Sequence, residues 1–139
     1  DCELTPDTLE DLPEVDVIIG AVDNFKARYL SNRFAVENGI PYIHGAVEGF
    51  QGQITTIIPG DTPCLDCVFP ESPPERSGLQ VFGVTAGIIG TLMATETIKY
   101  LVDQGDLFRG EMLMLDLLRN EFDSLPLERN PNCPICGNL

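Results

Sequence analysis

Four of the five cysteines stand in two pairs, each with two residues between its members. A two-residue spacer lets both thiolates of a pair point at one ion, and two such pairs complete a tetrahedral sulfur site. Soft thiolates select zinc or an iron–sulfur cluster over hard cations. Because four sulfur ligands leave no position for water, a zinc ion here would be structural. It would tie the C-terminal tail to the middle of the chain, through Cys64, Cys67, Cys133 and Cys136.

Two other uses of these thiols stay open, namely two disulfides or a redox pair of the thioredoxin type. Disulfides need an oxidising compartment. The stretch Asp1–Glu14 has neither the basic start nor the apolar run of a secretory signal. We therefore expect a structural Zn²⁺ ion and a cytoplasmic location. Cys2 is left over and is expected to be a free thiol near a frayed end.

A polar pair follows an apolar run early in the chain. Asp23 and Asn24 come directly after Val15–Val22, whose nearly continuous apolar character predicts a strand buried on both faces. A carboxylate after the carboxyl end of a parallel strand lies where open α/β sheets bind nucleotides, and its hard oxygen suits magnesium. Asp23 is therefore the main candidate for a magnesium and nucleotide residue. The alternative is that it only caps the helix that follows.

The elements that would position this pair follow at once. Apolar residues at helical spacing predict a helix over Phe25–Glu37, with Asn24 as its N-cap. Ile40–Val47 and Gln53–Ile58 are typical of two further strands. Strand, helix and strand form one crossover unit of a doubly wound sheet. The sequence thus predicts an α/β fold with a partial, Rossmann-like, mostly parallel sheet.

The second half of the chain predicts a long helix and a hairpin. Gly78–Thr95 has no charged residue over 18 residues, so a membrane span has to be considered. Its glycines and threonines favour a buried helix at about Gly83–Val102. Small residues along one stripe suit either a core helix or a dimer seam. Glu111–Asp116 and Glu121–Leu127 predict a C-terminal antiparallel hairpin, with Pro126 at a sheet edge.

Composition and charge narrow the function classes. With 139 residues, 43 % hydrophobic and 22 % charged, the chain suits one domain with its own core. There are 22 acidic against 8 basic residues, a net charge of −14. That charge repels nucleic-acid phosphates and anionic lipid surfaces, so neither is an expected partner.

Six short motifs follow one another along the chain. Each is weak alone, but the set makes residues from about Val15 to Gly137 resemble the ThiF/MoeB/HesA family, relatives of the ubiquitin-activating enzymes. The motifs are Val22-Asp23-Asn24-x3-Arg28-x3-Asn32, Gly49-x2-Gly52-Gln53, Pro63-Cys64-x2-Cys67, Gly87-Ile88-Ile89-Gly90-Thr91-Leu92, Glu96-x-Ile98-Lys99 and Asn132-Cys133-x2-Cys136-Gly137.

The resemblance implies an ATP- and Mg²⁺-dependent adenylyltransferase. Such enzymes transfer AMP to the C-terminal glycine carboxylate of a small ubiquitin-like or sulfur-carrier protein. The resemblance makes Asp23 a magnesium and nucleotide residue, adds Asn24 and Asn32 to the nucleotide site, and makes the zinc of the four cysteines structural. Arg28 would either reach a phosphate or brace the site. His44, the only histidine, has no evident partner, and we expect a structural role on its strand.

Two departures from the family pattern limit this expectation. No G-x-G-x-x-G or P-loop sequence occurs, so residues 1–139 resemble the C-terminal half of a family domain and should be inactive alone. The stretch Ser72–Gly78 has no cysteine, and Ser77 cannot form a thioester, which favours the molybdopterin-type members that only adenylate. A half domain exposes a sheet edge, so a homodimer is expected.

Two other functions remain as alternatives. One is a non-catalytic, zinc-stapled dimerisation or binding module of the same fold. The other is a nicotinamide- or flavin-dependent Rossmann enzyme, which lacks its glycine fingerprint in this sequence.

Overall fold

Local patterning gives nine regular elements in residues 3–71 and 80–139, the part of the chain that the computed structural model describes. The strands are β1 (Ile18–Gly20), β2 (Tyr42–Glu48), β3 (Gln51–Ile57), β4 (Glu111–Asp116) and β5 (Glu121–Pro126). The helices are α1 (Pro6–Glu10), α2 (Phe25–Glu37), α3 (Leu65–Val68) and α4 (Gly83–Val102).

The sheet is mixed, so the expectation of a mostly parallel sheet is wrong for the described residues. The strands lie in the order β1-β2-β3-β4-β5. Only β1 and β2 run parallel, while the three other neighbouring pairs are antiparallel. The crossover helix α2 carries the chain back to start β2 beside β1. Gly49 and Phe50 alone connect β2 to β3, with Gly49 at φ +58°, and so short a connection forces β3 to run back.

Several predicted boundaries are confirmed. The bounds of α2, α4 and β4 are those predicted, and the hairpin of β4 and β5 puts Pro126 on an edge strand. β1 is shorter than Val15–Val22, because its ladder with β2 has only three residue pairs. Helix α1 was not predicted; Thr5 and Thr8 cap its start reciprocally.

Alternation along the central strands divides the core between the two faces of the sheet. On the α2 face Tyr42 and Ile57 pack with Ala35 and Val36. On the α4 face Ile43 and Ile54 pack with three further buried residues, Ile89, Met93 and Leu115. The two clusters hold one helix on each face, and the carboxyl ends of β1 and β2 emerge between them.

Two glycines set how closely α4 approaches the sheet. A Cβ atom on Gly45 would lie 2.3 Å from Met93 Sδ, and one on Gly52 would lie 2.7 Å from Ile89 Cγ1. Both distances are shorter than any normal packing contact. The missing side chains therefore let α4 lie directly on β2 and β3.

Helix α4 is not the buried helix that its composition predicts. Within the described residues its buried positions are Thr85, Ile89, Met93 and Glu96. Its outer side exposes larger apolar side chains, including Val84, Ile88, Ile98 and Leu101. The stripe of small residues lies outward too, since a Cβ on Gly83, Gly87 or Gly90 would meet nothing within 4 Å. No helix in the described ranges is long and apolar enough to cross a bilayer.

A buried carboxylate joins α4 to the segment before β4. Glu96 Oε2 accepts hydrogen bonds from the Thr56 hydroxyl and the Phe108 amide, each at 2.7 Å. Lys99 forms an ion pair with Glu96 Oε1. Because a buried charge without partners is costly, these contacts fix the C-terminal half of α4 against β3.

Candidate functional site

The four paired cysteines come together. Their sulfur atoms all lie within 4.8 Å of one another, with Cys64 Sγ 3.7 Å from Cys133 Sγ and Cys67 Sγ 3.2 Å from Cys136 Sγ. Zinc–sulfur bonds of about 2.3 Å in a tetrahedron put the sulfurs about 3.8 Å apart. Disulfide sulfurs would be about 2.05 Å apart. The cluster is therefore a set of free thiols whose spacing could hold one metal ion, and not a pair of disulfides.

Each cysteine pair is folded by its own backbone. Cys64 stands at the start of α3, where its carbonyl accepts from the Cys67 amide at 3.0 Å. In the second pair the Gly137 amide donates to the Cys133 carbonyl at 2.9 Å. A Cβ on Gly137 would lie 2.6 Å from that carbonyl oxygen, so this turn requires glycine.

Asn32 braces the first cysteine pair. Its Nδ2 donates to Asp66 Oδ2 at 2.9 Å, and its Oδ1 accepts from the Leu65 amide at 3.1 Å. Arg33 adds an ion pair to the same carboxylate at 2.8 Å. Asn32 thus connects α2 to α3 and does not line the cleft described below. Its assignment to a nucleotide stays a prediction.

Arg129 holds the segment around the second cysteine pair in place, a role that the sequence did not reveal. Arg129 donates to the carbonyl of Gly60 at 3.1 Å and to that of Leu139 at 2.7 Å, and it also contacts the Cys136 carbonyl. Its partners are backbone carbonyls 7, 10 and 69 positions away, and no residue pattern around Arg129 signals them. The guanidinium holds the C-terminal segment against the loop that follows β3.

Burial and hydrogen bonds change the pKa values of the cysteine thiols. Burial raises the pKa of the Cys64 thiol above its ordinary value and that of Cys67 to about 11. For Cys136 burial also acts upward, but the hydrogen bonds from Cys67 and Cys64 outweigh it and lower the pKa to about 7. Without an ion, burial therefore disfavours the thiolate forms of Cys64 and Cys67. A soft divalent cation would compensate four thiolates, and the donor set fits zinc.

A cleft of about 770 Å³ opens at the carboxyl ends of β1 and β2. Its walls come from the start of α2 on one side and from α4 on the other. The polar side chains among its lining include Asp23, Asn24, Arg28, His44 and Gln53. Open α/β sheets bind ligands at this position, and the amino end of α2 adds a partial positive charge there.

Asp23 lies exposed at this cleft, three residues beyond the end of β1. Its Oδ1 accepts a hydrogen bond of 3.1 Å from Asn24 Nδ2. The N-cap of α2 is Asn24, as predicted, because its Oδ1 accepts from the Ala27 amide at 2.8 Å. Capping is therefore not the role of Asp23, whose exposed carboxylate lies in the lining of the cleft.

Arg28 and His44 form the floor of the cleft. Arg28 Nη1 donates to the Gly45 carbonyl at 2.7 Å and lies 3.1 Å from His44 Nδ1. Its Nη2 donates to the Val22 carbonyl at 2.8 Å. The Gln53 side-chain amide lies 3.1 Å from His44 Nε2. His44, for which the sequence offered no partner, thus lies between α2 and β3.

The protonation of His44 follows from its neighbours. The side chain is 1 % exposed, and burial together with the Arg28 charge lowers its pKa to about 3. A guanidinium can only donate, so Nδ1 is the accepting nitrogen. Nε2 therefore holds the proton. The Gln53 atom 3.1 Å from it is the amide nitrogen, and exchanging the oxygen and nitrogen of that amide makes this contact a hydrogen bond from Nε2 to the oxygen. Burial lowers the pKa of Arg28 as well.

The cleft and the cysteine cluster account for all but one of the predicted site residues. Asp23, Asn24 and Arg28 line the cleft, the four cysteines form the cluster, and Asn32 lies between α2 and α3. The expectations for Cys2 and for the stretch Ser72–Gly78 with Ser77 fall outside the described residues.

The ThiF family model matches residues 3–135. The chain belongs to the ThiF family. It is 42 % identical over 127 residues to the SAMP-activating enzyme E1 of Haloferax volcanii, covering 88 % of this chain and 47 % of that protein. It is 39 % identical to the sulfur carrier protein adenylyltransferase of Thermus thermophilus, covering 94 % of this chain and 52 % of that protein. The chain thus spans about half the length of these relatives.

A solved structure has the same fold. The crystal structure of E. coli MccB with MccA-N7isoASN superposes with a TM-score of 0.82 at 21 % identity. The match covers 99 % of this chain and 45 % of that one. The fold of the ThiF-family chain thus matches less than half of that larger molecule.

Proposed function

We propose that this chain is the C-terminal part of an adenylyltransferase that activates the C-terminal carboxylate of a small ubiquitin-like or sulfur-carrier protein. The observation that carries the proposal is Asp23, exposed on a cleft at the carboxyl ends of two parallel strands in a ThiF-family chain. The relatives named for sulfur-carrier and SAMP activation support this substrate class.

The reaction is a displacement at phosphorus. A carboxylate oxygen of the acceptor attacks the α-phosphorus of ATP, a new O–P bond forms, and the bond to pyrophosphate breaks. Magnesium, when bound, offsets the negative charge of the phosphates. Asp23 would supply a hard oxygen ligand to that ion, and Asn24 would lie beside it through its hydrogen bond to Asp23. Arg28 and Asn32 would hold neighbouring residues in position through their hydrogen bonds.

The glycine-rich loop that holds ATP phosphates in this family would come from a segment outside residues 1–139. The sequence contains no such loop. We therefore propose that these residues bind ATP weakly without that segment. All experiments on activity below accordingly use the intact protein.

The four cysteines would hold one structural Zn²⁺ ion. Four sulfurs within 4.8 Å, three of the four residues fully buried, suit a closed tetrahedral site that takes no part in the reaction. Thiols kept free in this way suit a reducing compartment such as the cytoplasm.

Replacing Asp23 with alanine in the intact protein should abolish exchange of labelled pyrophosphate into ATP in the presence of its acceptor protein. The reason is the loss of an oxygen ligand at the metal. Zinc content, measured by atomic absorption, should stay unchanged. Asp123→Ala is the matched control, because Asp123 is an exposed carboxylate on β5, and it should keep full exchange. Full activity of the Asp23 variant would sink the assignment.

A non-catalytic dimerisation module is the second candidate, and the outer side of α4 favours it. Val84 is 64 % and Ile98 60 % exposed, next to outward glycines that permit close approach. A second copy of the chain would cover this side, and the same contact suits a dimeric enzyme. Binding of ATP by the intact protein separates the two functions, since the module alone would show none.

A further inference from the structure

The guanidinium of Arg28 is already committed to the protein. Its two terminal nitrogens lie within hydrogen-bond distance of three acceptors, the carbonyls of Gly45 and Val22 and the Nδ1 atom of His44. An arginine that binds phosphate usually presents its planar fork to the anion. Here three of five donor hydrogens point into the protein, so the fork between its two terminal nitrogens is not available.

The acceptors of Arg28 lie on both sides of a gap in the sheet. The ladder between β1 and β2 ends at the pair Gly20 and His44. Val22 lies beyond that end and directly precedes Asp23, while Gly45 lies on β2. Arg28 therefore joins the chain just before Asp23 to the neighbouring strand at a point where the backbone ladder no longer does so.

His44 completes this arrangement because its Nδ1 accepts from Arg28 and its Nε2 lies 3.1 Å from the nitrogen of the Gln53 side-chain amide. Only the neutral imidazole has a lone pair for the guanidinium. A second cation at this position would repel Arg28 instead. Arg28, His44 and Gln53 thus form a connected polar set across α2, β2 and β3.

We infer that Arg28, held by His44, is a positioning residue that fixes the Val22–Asn24 turn and with it the Asp23 carboxylate, and that it does not itself bind phosphate. The inference rests on the proposed function for the role of Asp23. The part of the inference that concerns the fixed Val22–Asn24 turn does not depend on a bound nucleotide or metal.

Two amide substitutions of His44 separate its two hydrogen bonds. The oxygen of His44→Asn occupies roughly the place of Nδ1 and can still accept from Arg28. The longer side chain of His44→Gln instead reaches the place of Nε2 and loses the acceptor for Arg28. Both variants remove the imidazole, so a role that depends only on filling the core would be affected alike.

The first measurement is hydrogen–deuterium exchange of the intact protein without ATP or metal. We expect the amides of Val22–Asn24 to exchange about tenfold faster in His44→Gln and less than about threefold faster in His44→Asn, since a hydrogen bond to a charged group is lost only in the first. Equal exchange in the two variants would overturn the inference. This result is independent of catalysis, and so of the proposed function.

The second measurement is pyrophosphate exchange at varied magnesium and varied ATP. His44→Gln and Arg28→Gln should both raise the magnesium concentration for half-maximal rate by about tenfold at saturating ATP. A phosphate-binding Arg28 would instead raise KM for ATP in Arg28→Gln while His44→Gln stayed normal, and that outcome would also overturn the inference.

If His44→Gln does not fold, the wild-type protein still provides a test. Long-range nitrogen–proton correlation by NMR reports which imidazole nitrogen holds the proton. We expect a neutral ring protonated at Nε2 from pH 8 to pH 5. A proton on Nδ1 would exclude the hydrogen bond from Arg28 and refute the inference.

Discussion

At the scale of single residues, His44 shows how a side chain of ordinary type gains an unusual proton affinity. It is enclosed by strands on two sides and by a guanidinium on the third. Burial and the charge of Arg28 both disfavour the imidazolium, which explains a pKa of about 3 against an ordinary value of 6.5.

This shift predicts a pH dependence of stability. The unfolded imidazole gains a proton as the pH falls below about 6.5, whereas the folded one stays neutral until about pH 3. The unfolded state thus binds more protons in this window, and stability falls with falling pH, by up to about 1.4 kcal/mol per pH unit from this group.

Urea unfolding of the wild type and of His44→Asn between pH 7 and pH 4.5 measures the effect. The difference in unfolding free energy between the two should shrink steadily as the pH falls, because asparagine does not titrate. Parallel curves for the two proteins would contradict a neutral buried His44.

Residues with short-range patterns were predictable, and those with distant partners were not. Asn24 caps the helix that begins next to it, and its role could be inferred from the residues that directly follow it. His44 takes its role from Arg28 and Gln53, which lie 16 and 9 positions away. A linear pattern contains no signal for such contacts, so only the structure revealed the floor of the cleft.

At the scale of elements, helices were predicted better than strand directions. α2 and α4 have their own periodicity and clear ends, which fixes their bounds. The direction of β3 depends on the length of its connection to β2. The apolar patterns Ile40–Val47 and Gln53–Ile58 leave five residues between them, whereas the ladder extends both strands and leaves two. That difference turns a possible crossover into a hairpin.

The second cysteine pair permits a prediction at this scale. Gly137→Ala would force its Cβ against the Cys133 carbonyl oxygen, which is backbone and cannot move away cheaply. We expect this variant to lose zinc to a chelator faster than the wild type and to unfold at a lower temperature. Gly87→Ala is the matched control for the chelator assay, because its Cβ meets nothing within 4 Å.

Replacing a cysteine of the cluster should reduce zinc content and folding stability more strongly than Gly137→Ala does. Cys133→Ser should contain less than about 0.2 zinc per chain, against about one in the wild type, with a loss of folding stability of several kcal/mol. Cys2→Ser changes the cysteine that belongs to neither C-x2-C pair and should retain the metal. Inductively coupled plasma analysis gives the content directly. If the wild type were equally stable with and without its metal, the ion would have no structural role.

At the scale of the whole molecule, the net charge of −14 affects how stability depends on salt. Self-repulsion among carboxylates destabilises the compact state, and salt screens it over a Debye length of about 10 Å at 0.1 M and about 3 Å at 1 M. The melting temperature should therefore rise between 0.1 M and 1 M KCl.

A variant with fewer charges tests the cause. Replacing three exposed carboxylates of the C-terminal region by amides should reduce the salt dependence, because less repulsion remains to be screened. The substitutions are Glu121→Gln, Asp123→Asn and Glu128→Gln. An unchanged slope of melting temperature against salt would show that the salt effect is not electrostatic.

The sulfur cluster also affects how the protein responds to proteolysis. Residues 64–67 and 133–136 meet at one point, so everything between them forms a closed ring once an ion joins the four sulfurs. A protease that cleaves one bond inside this ring would leave both pieces attached, and a native mass measurement would still record one particle. Once a chelator removes the ion, only noncovalent contacts such as the ladder between β3 and β4 would still hold the two pieces together.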